Sequence, residues 1–297
     1  MNISPTKLLL GLSLVLCSVY VSAFDLGFGG GDEPADGSSI FDIGDIISGV
    51  KDISRTVTGI DEEDEIEIGR DAASVLLGAS KPVNDPELQR YVNRIGRWVV
   101  NQTDRSHLPW RFAVLNSTAV NAFATPGGNI FITDGLLRLL NNEAELAAVL
   151  AHEVAHVVQK HHINAMSSIN TSGFSGLVKL ASMTREGRSN KMASQMVGEV
   201  KDMYLRGLDK DDEFEADSMG TIIASRAGYD PFALMAVLQT LDSVDPDNSE
   251  LDLLYKTHPP MSDRLDKLEP VLDQFEEPVS ESPVLENRFN RYVRKRS

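Results

Sequence analysis

Apolar positions recur at helical spacing over most of the chain. In Pro86–Val100 the residues Leu88, Val92, Ile95 and Val99 fall on one stripe with charges between them, which predicts an amphipathic helix opened by its proline. From Asp61 a run of acids leads into DAASVLLG, so a second helix is expected, its N-terminus complemented by carboxylates. Asp134 to about Ala165 reads as helical with a break near Asn141-Asn142, and Asp211–Ala227, Pro231–Leu241 and Ser262–Phe275 read as further helices. The first of these stops at Gly228, and the second opens with Pro231 in its first turn. Period-two patterning is confined to Trp110–Leu115, Ala119–Ala124 and Asn129–Thr133, the last two joined by Pro126-Gly127-Gly128 as strand, turn and strand. These elements predict an α+β, mainly helical domain with a small sheet ahead of the helix at 143–165.

The ends read differently. Residues 1–23 carry Lys7, an apolar run from Leu8 to Leu16 and the small-residue ending Val21-Ser22-Ala23, the order of a secretory signal peptide cleaved after Ala23. Export to the periplasm is the expectation. A retained anchor and lipid attachment at Cys17 are the alternatives, although Leu16 is larger than the residue that precedes a lipidated cysteine. Residues 24–59 are rich in Gly, Asp and Ser and read as a flexible leader with a short surface helix at 40–50. Residues 60–276 are taken as the folded domain, and 166–195, rich in Ser and Thr, as a mobile or partly helical insertion within it. Residues 277–297 are taken as a tail ending in Arg288, Arg291, Arg294, Lys295 and Arg296, which reads first as a solvated helix end and, alternatively, as cations suited to peripheral contact with an anionic surface.

Charge and cysteine count narrow the chemistry. With 28 Lys plus Arg against 44 Asp plus Glu, the net charge is −16, which argues against nucleic-acid binding. One cysteine can build neither an intramolecular disulfide nor a cysteine zinc cage, so any metal falls to the six His and the acids.

The chemistry concentrates in Ala147–Val158, which contains His152-Glu153-Val154-Ala155-His156, an H-E-x-x-H sequence on an apolar helix. Side chains four apart share a helix face, so His152 and His156 can hold one zinc ion per chain. Glu153, about 100° round, can reach a metal-activated water as general base without ligating. Two satisfied histidines on a surface helix would explain the same residues, but Val149, Leu150, Val154, Val157 and Val158 bury this helix, and buried polar groups need partners. Downstream, Asp212-Glu213-Phe214-Glu215-Ala216-Asp217 offers Glu213 as third ligand. Asp217, one turn on, can accept the free ring N–H of a ligating histidine, whereas Glu215 points elsewhere. His162 stands at the spacing H-E-x-x-H-x-x-G-x-x-H, but Gln159 replaces the glycine that turns the chain, and on a continuous helix both His161 and His162 leave the ligand face. They are read, with His107, as bystanders.

His-Glu-Val-Ala-His followed by Glu-Phe-Glu-Ala-Asp resembles the gluzincin family of HtpX-like and CAAX-type zinc metallopeptidases, in particular its secreted bacterial branch. Asn121–Gly128 with Ile130–Leu137, and Thr257-His258-Pro259-Pro260 with Asp263-Arg264, resemble the same family, so the similarity runs over about 62–275. The resemblance implies a zincin-type fold, zinc-dependent endopeptidase activity and protein or peptide substrates, with misfolded envelope proteins as the expected natural ones. It implies that His258 approaches the zinc and gates its open position, and that Arg264 polarises the reacting carbonyl or holds that loop. It also implies that Asn121, Ala122, Phe123, Gly127 and Gly128 border the cleft as a substrate-pairing strand, although the Gly pair alone is equally a plain hairpin turn. The membrane-spanning helices of some members and the C-terminal helical repeats of others have no counterpart here, which leaves recruitment to the leader or the basic tail. Two rival readings stand beside the peptidase: a latent-site assembly factor that binds outer-membrane proteins with little proteolysis, and an interaction module with a structural metal. The oligomeric state is not encoded in any of these features.

Overall fold

A computed structural model describes residues 60–169, 206–244, 248–275 and 283–294. The expected leader, the 40–50 helix and most of the 166–195 insertion lie outside the described residues. Two helices lead: α1 (Glu62–Ala79), capped by Asp61 accepting from the Asp64 N–H, and α2 (Pro86–Val100), capped by Asp85 accepting from Glu87 and Leu88. The stripe Leu88, Val92, Ile95 and Val99 is buried. Strands β1 (Arg111–Leu115), β2 (Ala122–Thr125) and β3 (Asn129–Thr133) follow, then the short α3 (Asp134–Leu139) and the central α4 (Glu143–Val158). The chain continues through α5 (His161–Ile169), α6 (Lys210–Arg226), α7 (Ala233–Asp242), α8 (Asp252–Thr257), α9 (Met261–Leu272) and α10 (Pro283–Tyr292). The α+β, mainly helical architecture expected from the sequence is the one observed. No helix among the described residues is long and apolar enough to cross a membrane.

The sheet has the order β1-β3-β2. β2 and β3 form the expected antiparallel hairpin, while β1 runs parallel to β3 with Ala113 opposite Phe131. β2 is therefore an outer strand of the sheet among the described residues. Gly127 and Gly128 turn the hairpin with φ of 71° and 98°, where a side chain is strained. A Cβ on Gly127 would sit 2.6 Å from the Ile66 backbone, so α1 closes over this turn.

Helix α4 is buried along residues 143–157, which explains its near-uniform apolar sequence. It starts where Asn142 accepts from the Glu145 N–H, and Glu145 reaches back to the Asn141 N–H at 2.7 Å. It packs on α2, α6, α7, α10 and the sheet. Pro231 sits in the turn ahead of α7 and not inside it, since that helix begins only at Ala233.

Residues 283–292, within the segment read as a tail, form a helix with Phe289 and Val293 buried. Tyr91 and Tyr229 donate to Glu143 at 2.9 and 3.0 Å, and Arg288 makes a two-nitrogen contact with the same buried carboxylate. Arg294 donates to the carbonyls of Arg138 and Leu140. Two of the five terminal cations thus bind the domain itself.

Candidate metal centre

Helices α4 and α6 build the site by close approach. A Cβ on Gly220 would stand 2.8 Å from the His152 backbone N and Cα, so only glycine lets the two helices meet here. Two turns earlier on α6, Glu213 then reaches the H-E-x-x-H face. His152, Glu153, His156, Glu213, Asp217 and Arg264 are all buried.

The histidine nitrogens converge. His152 Nε2 and His156 Nε2 are 3.0 Å apart, and Glu213 presents Oε2 3.7 Å from the first and Oε1 3.6 Å from the second. His258 Nε2 lies 3.6 Å from Glu213 Oε2. Ligands about 2.0–2.1 Å from one ion in a tetrahedral arrangement are about 3.3–3.4 Å apart, close to these spacings. One combination of ligand atoms from His152, Glu213 and His258 also lies within 4.8 Å of one another. The orientation of each ring follows from its other nitrogen. His152 Nδ1 is 2.9 Å from Asp217 Oδ1, an acceptor only, so the proton sits on Nδ1 and the Nε2 lone pair of the neutral ring faces inward. His258 Nδ1 is 3.3 Å from the Leu254 carbonyl, which leaves its Nε2 facing Glu213 in the same way. Glu213 Oε2 is buried with no hydrogen-bond partner among the described residues. Lone pairs and a carboxylate gathered without a donor are costly unless a cation joins them, so these residues fit a metal ion.

The supporting groups are equally fixed. Arg264 donates through Nε (2.8 Å) and Nη2 to the two oxygens of Asp217, and that buried pair holds the carboxyl well below its usual range although burial opposes ionisation. Both contacts hold Asp217 against His152. Burial drives the His156 pKa well down and keeps the ring neutral, with the neighbouring histidines adding to the effect. Burial, reinforced by the Glu213 charge and opposed by Arg264, raises the Glu153 carboxyl well above the usual range. Burial lowers His258 to about 4.

A cleft of about 250 Å³ opens beside Glu153, His156, Glu213 and His258. It is also lined by Val75, Leu76, Leu208, Leu253, by Asn121 just ahead of β2, and by Ala122 and Phe123 at its start. These three border the cleft. Gly127 and Gly128 do not, because the hairpin carries them to the far end of β2, where they pack on Ile66 and Trp110.

Sequence reasoning missed the surroundings of His156. Helix α4 ends at Val158, Lys160 takes φ 59°, and α5 restarts at His161. The continuous helix expected through Ala165 is therefore broken, and both His161 and His162 are buried at the site. His161 Nδ1 lies 2.9 Å from His156 Nδ1, so it is no bystander. Lysine gives no turn signal of the kind glycine does. The available hint was the polar run Gln159–His162 after an apolar helix. Of the three, only His107 remains apart, exposed and paired with Glu62.

Residues 86–271 match peptidase family M48. The chain belongs to that family. It is 30% identical over 207 residues to the beta-barrel assembly-enhancing protease of Escherichia coli, covering 68% of this chain and 42% of that protein. The Yersinia pestis protein of the same name is 32% identical over 200 residues, covering 64% and 40%. The mitochondrial metalloendopeptidase OMA1 of Schizosaccharomyces pombe is 30% identical over 179 residues, covering 60% and 51%. The chain thus spans about two fifths to a half of the length of these relatives.

Proposed function

We propose that the protein is a zinc-dependent metalloendopeptidase of the bacterial envelope, with His152, His156 and Glu213 as ligands of one zinc ion. The observation that carries this is the convergence of two imidazole lone pairs and an unpartnered carboxylate oxygen at the mouth of a cleft. A zinc ion held there supplies Lewis-acid polarisation of a peptide carbonyl and lowers the pKa of a coordinated water to about 7. Glu153 makes no hydrogen bond to a described residue, and its raised pKa suits a group that takes a proton from the attacking water and passes it to the leaving amine. Asp217 and Arg264 act as positioning residues for His152. An extended peptide binds along the cleft beside Asn121–Phe123, and its apolar side chains enter beside Leu76, Phe123 and Leu253.

His258 stands where a fourth ligand would, so the resting site is gated, and productive binding displaces it. The names of the relatives, a protease that enhances β-barrel assembly and a mitochondrial metalloendopeptidase, support unassembled or misfolded envelope proteins as substrates. Residues 1–23 direct export to the periplasm. Peripheral membrane contact by the tail rests on fewer unengaged cations than expected, because Arg288 pairs with Glu143 and Arg294 donates to backbone carbonyls.

Chelation followed by metal return tests the proposal on casein. Activity should vanish with the metal and return with one equivalent of zinc, and His258→Ala should cleave at least several-fold faster than wild type. Full zinc occupancy with no cleavage by either protein would rule out the peptidase and favour the latent assembly factor.

A further inference from the structure

Two residues of the chemical motifs have no role in the zinc reading: His161, five positions after His156, and Glu215, two after Glu213. The fold brings them together. The left-handed turn at Lys160, whose ammonium group lies 3.6 Å from the buried Glu65, breaks the helix, and His161 follows it into the core at 2% exposure. Its ring lies edge-on to His156, with centroids 5.1 Å apart and planes 73° apart. His161 Nδ1 is 2.9 Å from His156 Nδ1, and His161 Nε2 is 3.4 Å from Glu215 Oε2 and 3.8 Å from Asp212 Oδ1. Gln159, the cap of α4, donates to the other oxygen of Glu215.

One arrangement of protons makes the His156–His161 hydrogen bond and puts the remaining His161 proton beside two carboxylates. His161 Nε2 makes no hydrogen bond to a described residue, but the Glu215 and Asp212 carboxylates 3.4 and 3.8 Å away favour a proton on Nε2, which leaves a lone pair on Nδ1. The neighbouring His156 Nδ1 then carries a proton and donates it, and the His156 Nε2 lone pair points at Glu213 and the metal position. The chain Glu215, His161, His156 does for the second histidine of H-E-x-x-H what Asp217 does directly for the first.

We infer that His161 is a positioning residue for His156, anchored by Glu215 and holding the tautomer and ring angle that present Nε2 to the metal. The inference rests on the zinc reading above. It accounts for both acids of Glu213-Phe214-Glu215, one facing the metal and the other anchoring the relay, and for a lysine held in a left-handed conformation.

The test is zinc affinity, measured on the purified full chain by competition with a chromophoric chelator, beside the melting temperature of the metal-free protein. His161→Phe keeps the ring volume and removes both nitrogens, so zinc should bind about 10–100-fold more weakly while the metal-free protein melts no lower than wild type. His161→Asn places Oδ1 near the Nδ1 position and should recover most of the affinity. Glu215→Ala, at a side chain 41% exposed, should fold normally and weaken zinc by a smaller factor. Combined with His161→Phe it should add nothing further, because both act through one chain of contacts. Unchanged affinity in His161→Phe, equal losses in Phe and Asn, or additive losses in the double variant would overturn the role of His161. Failure of the wild type to bind one equivalent of zinc would instead overturn the zinc reading itself.

Discussion

Gly220→Ala tests whether contact between two helices sets the geometry of the site. The new methyl would lie 2.8 Å from the His152 backbone N and Cα and 3.2 Å from the Ala151 carbonyl carbon. Ordinary contact needs about 3.5 Å, so α6 would have to retreat by about 0.7 Å, and the neighbours are backbone atoms that cannot rotate away. Overpacking of this kind costs about 1–3 kcal/mol, against about 1 kcal/mol gained by replacing a helical glycine with alanine. The net loss is therefore about 0–2 kcal/mol, a fall in melting temperature of at most about 8 °C for a domain of this size. The site should suffer more than the fold. Glu213 already sits 3.6–3.7 Å from the two histidine nitrogens, and retreat of α6 stretches both spacings together. Zinc affinity should fall about tenfold or more, read by chelator competition, with a calorimetric scan of the metal-free protein as the control. A variant that melts higher than wild type and binds zinc equally well would refute the reasoning, since helix propensity would then have outweighed a contact that is not tight.

Other outcomes follow from the same geometry. Asp217→Asn leaves Arg264 buried without its charge partner, so the metal-free protein should lose about 3–5 kcal/mol in a denaturant titration. Its zinc should also bind about 10–100-fold more weakly, as the His152 ring loses its fixed acceptor. Tyr91 and Tyr229 have raised pKa values because of burial first and the Glu143 charge second. Each keeps its proton in the folded state after the unfolded chain has lost it, so their contribution to stability should be constant below about pH 10 and fall above it by about 1.4 kcal/mol per pH unit for each tyrosine. Tyr91→Phe should halve that slope in urea titrations between pH 10 and 11.

The helices were legible because their ends carry local chemistry. Asp85-Pro86 opens α2, Asn142 with Glu145 opens α4, and Gly228 at φ 86° closes α6. The H-E-x-x-H residues and Glu213 were legible because i, i+4 spacing on a helix is a rigid ruler. The features that stayed hidden depend on contacts between distant segments. Neither the parallel pairing of β1 with β3 nor the burial of Gly127 against α1 and of Gly128 against Trp110 leaves a periodic trace. The break at Lys160 is carried by a residue that rarely takes positive φ, supported by an ion pair to Glu65, so propensity pointed to a continuous helix. The relay from Glu215 through His161 follows from that break and was lost with it.

The central claim is tested most directly by zinc content and casein cleavage in wild type beside Glu153→Gln. The account predicts one zinc ion in each protein, cleavage by wild type, and a loss of about 100-fold or more in the variant, which keeps the shape of Glu153 but cannot take a proton. Cleavage by Glu153→Gln at the wild-type rate would contradict it.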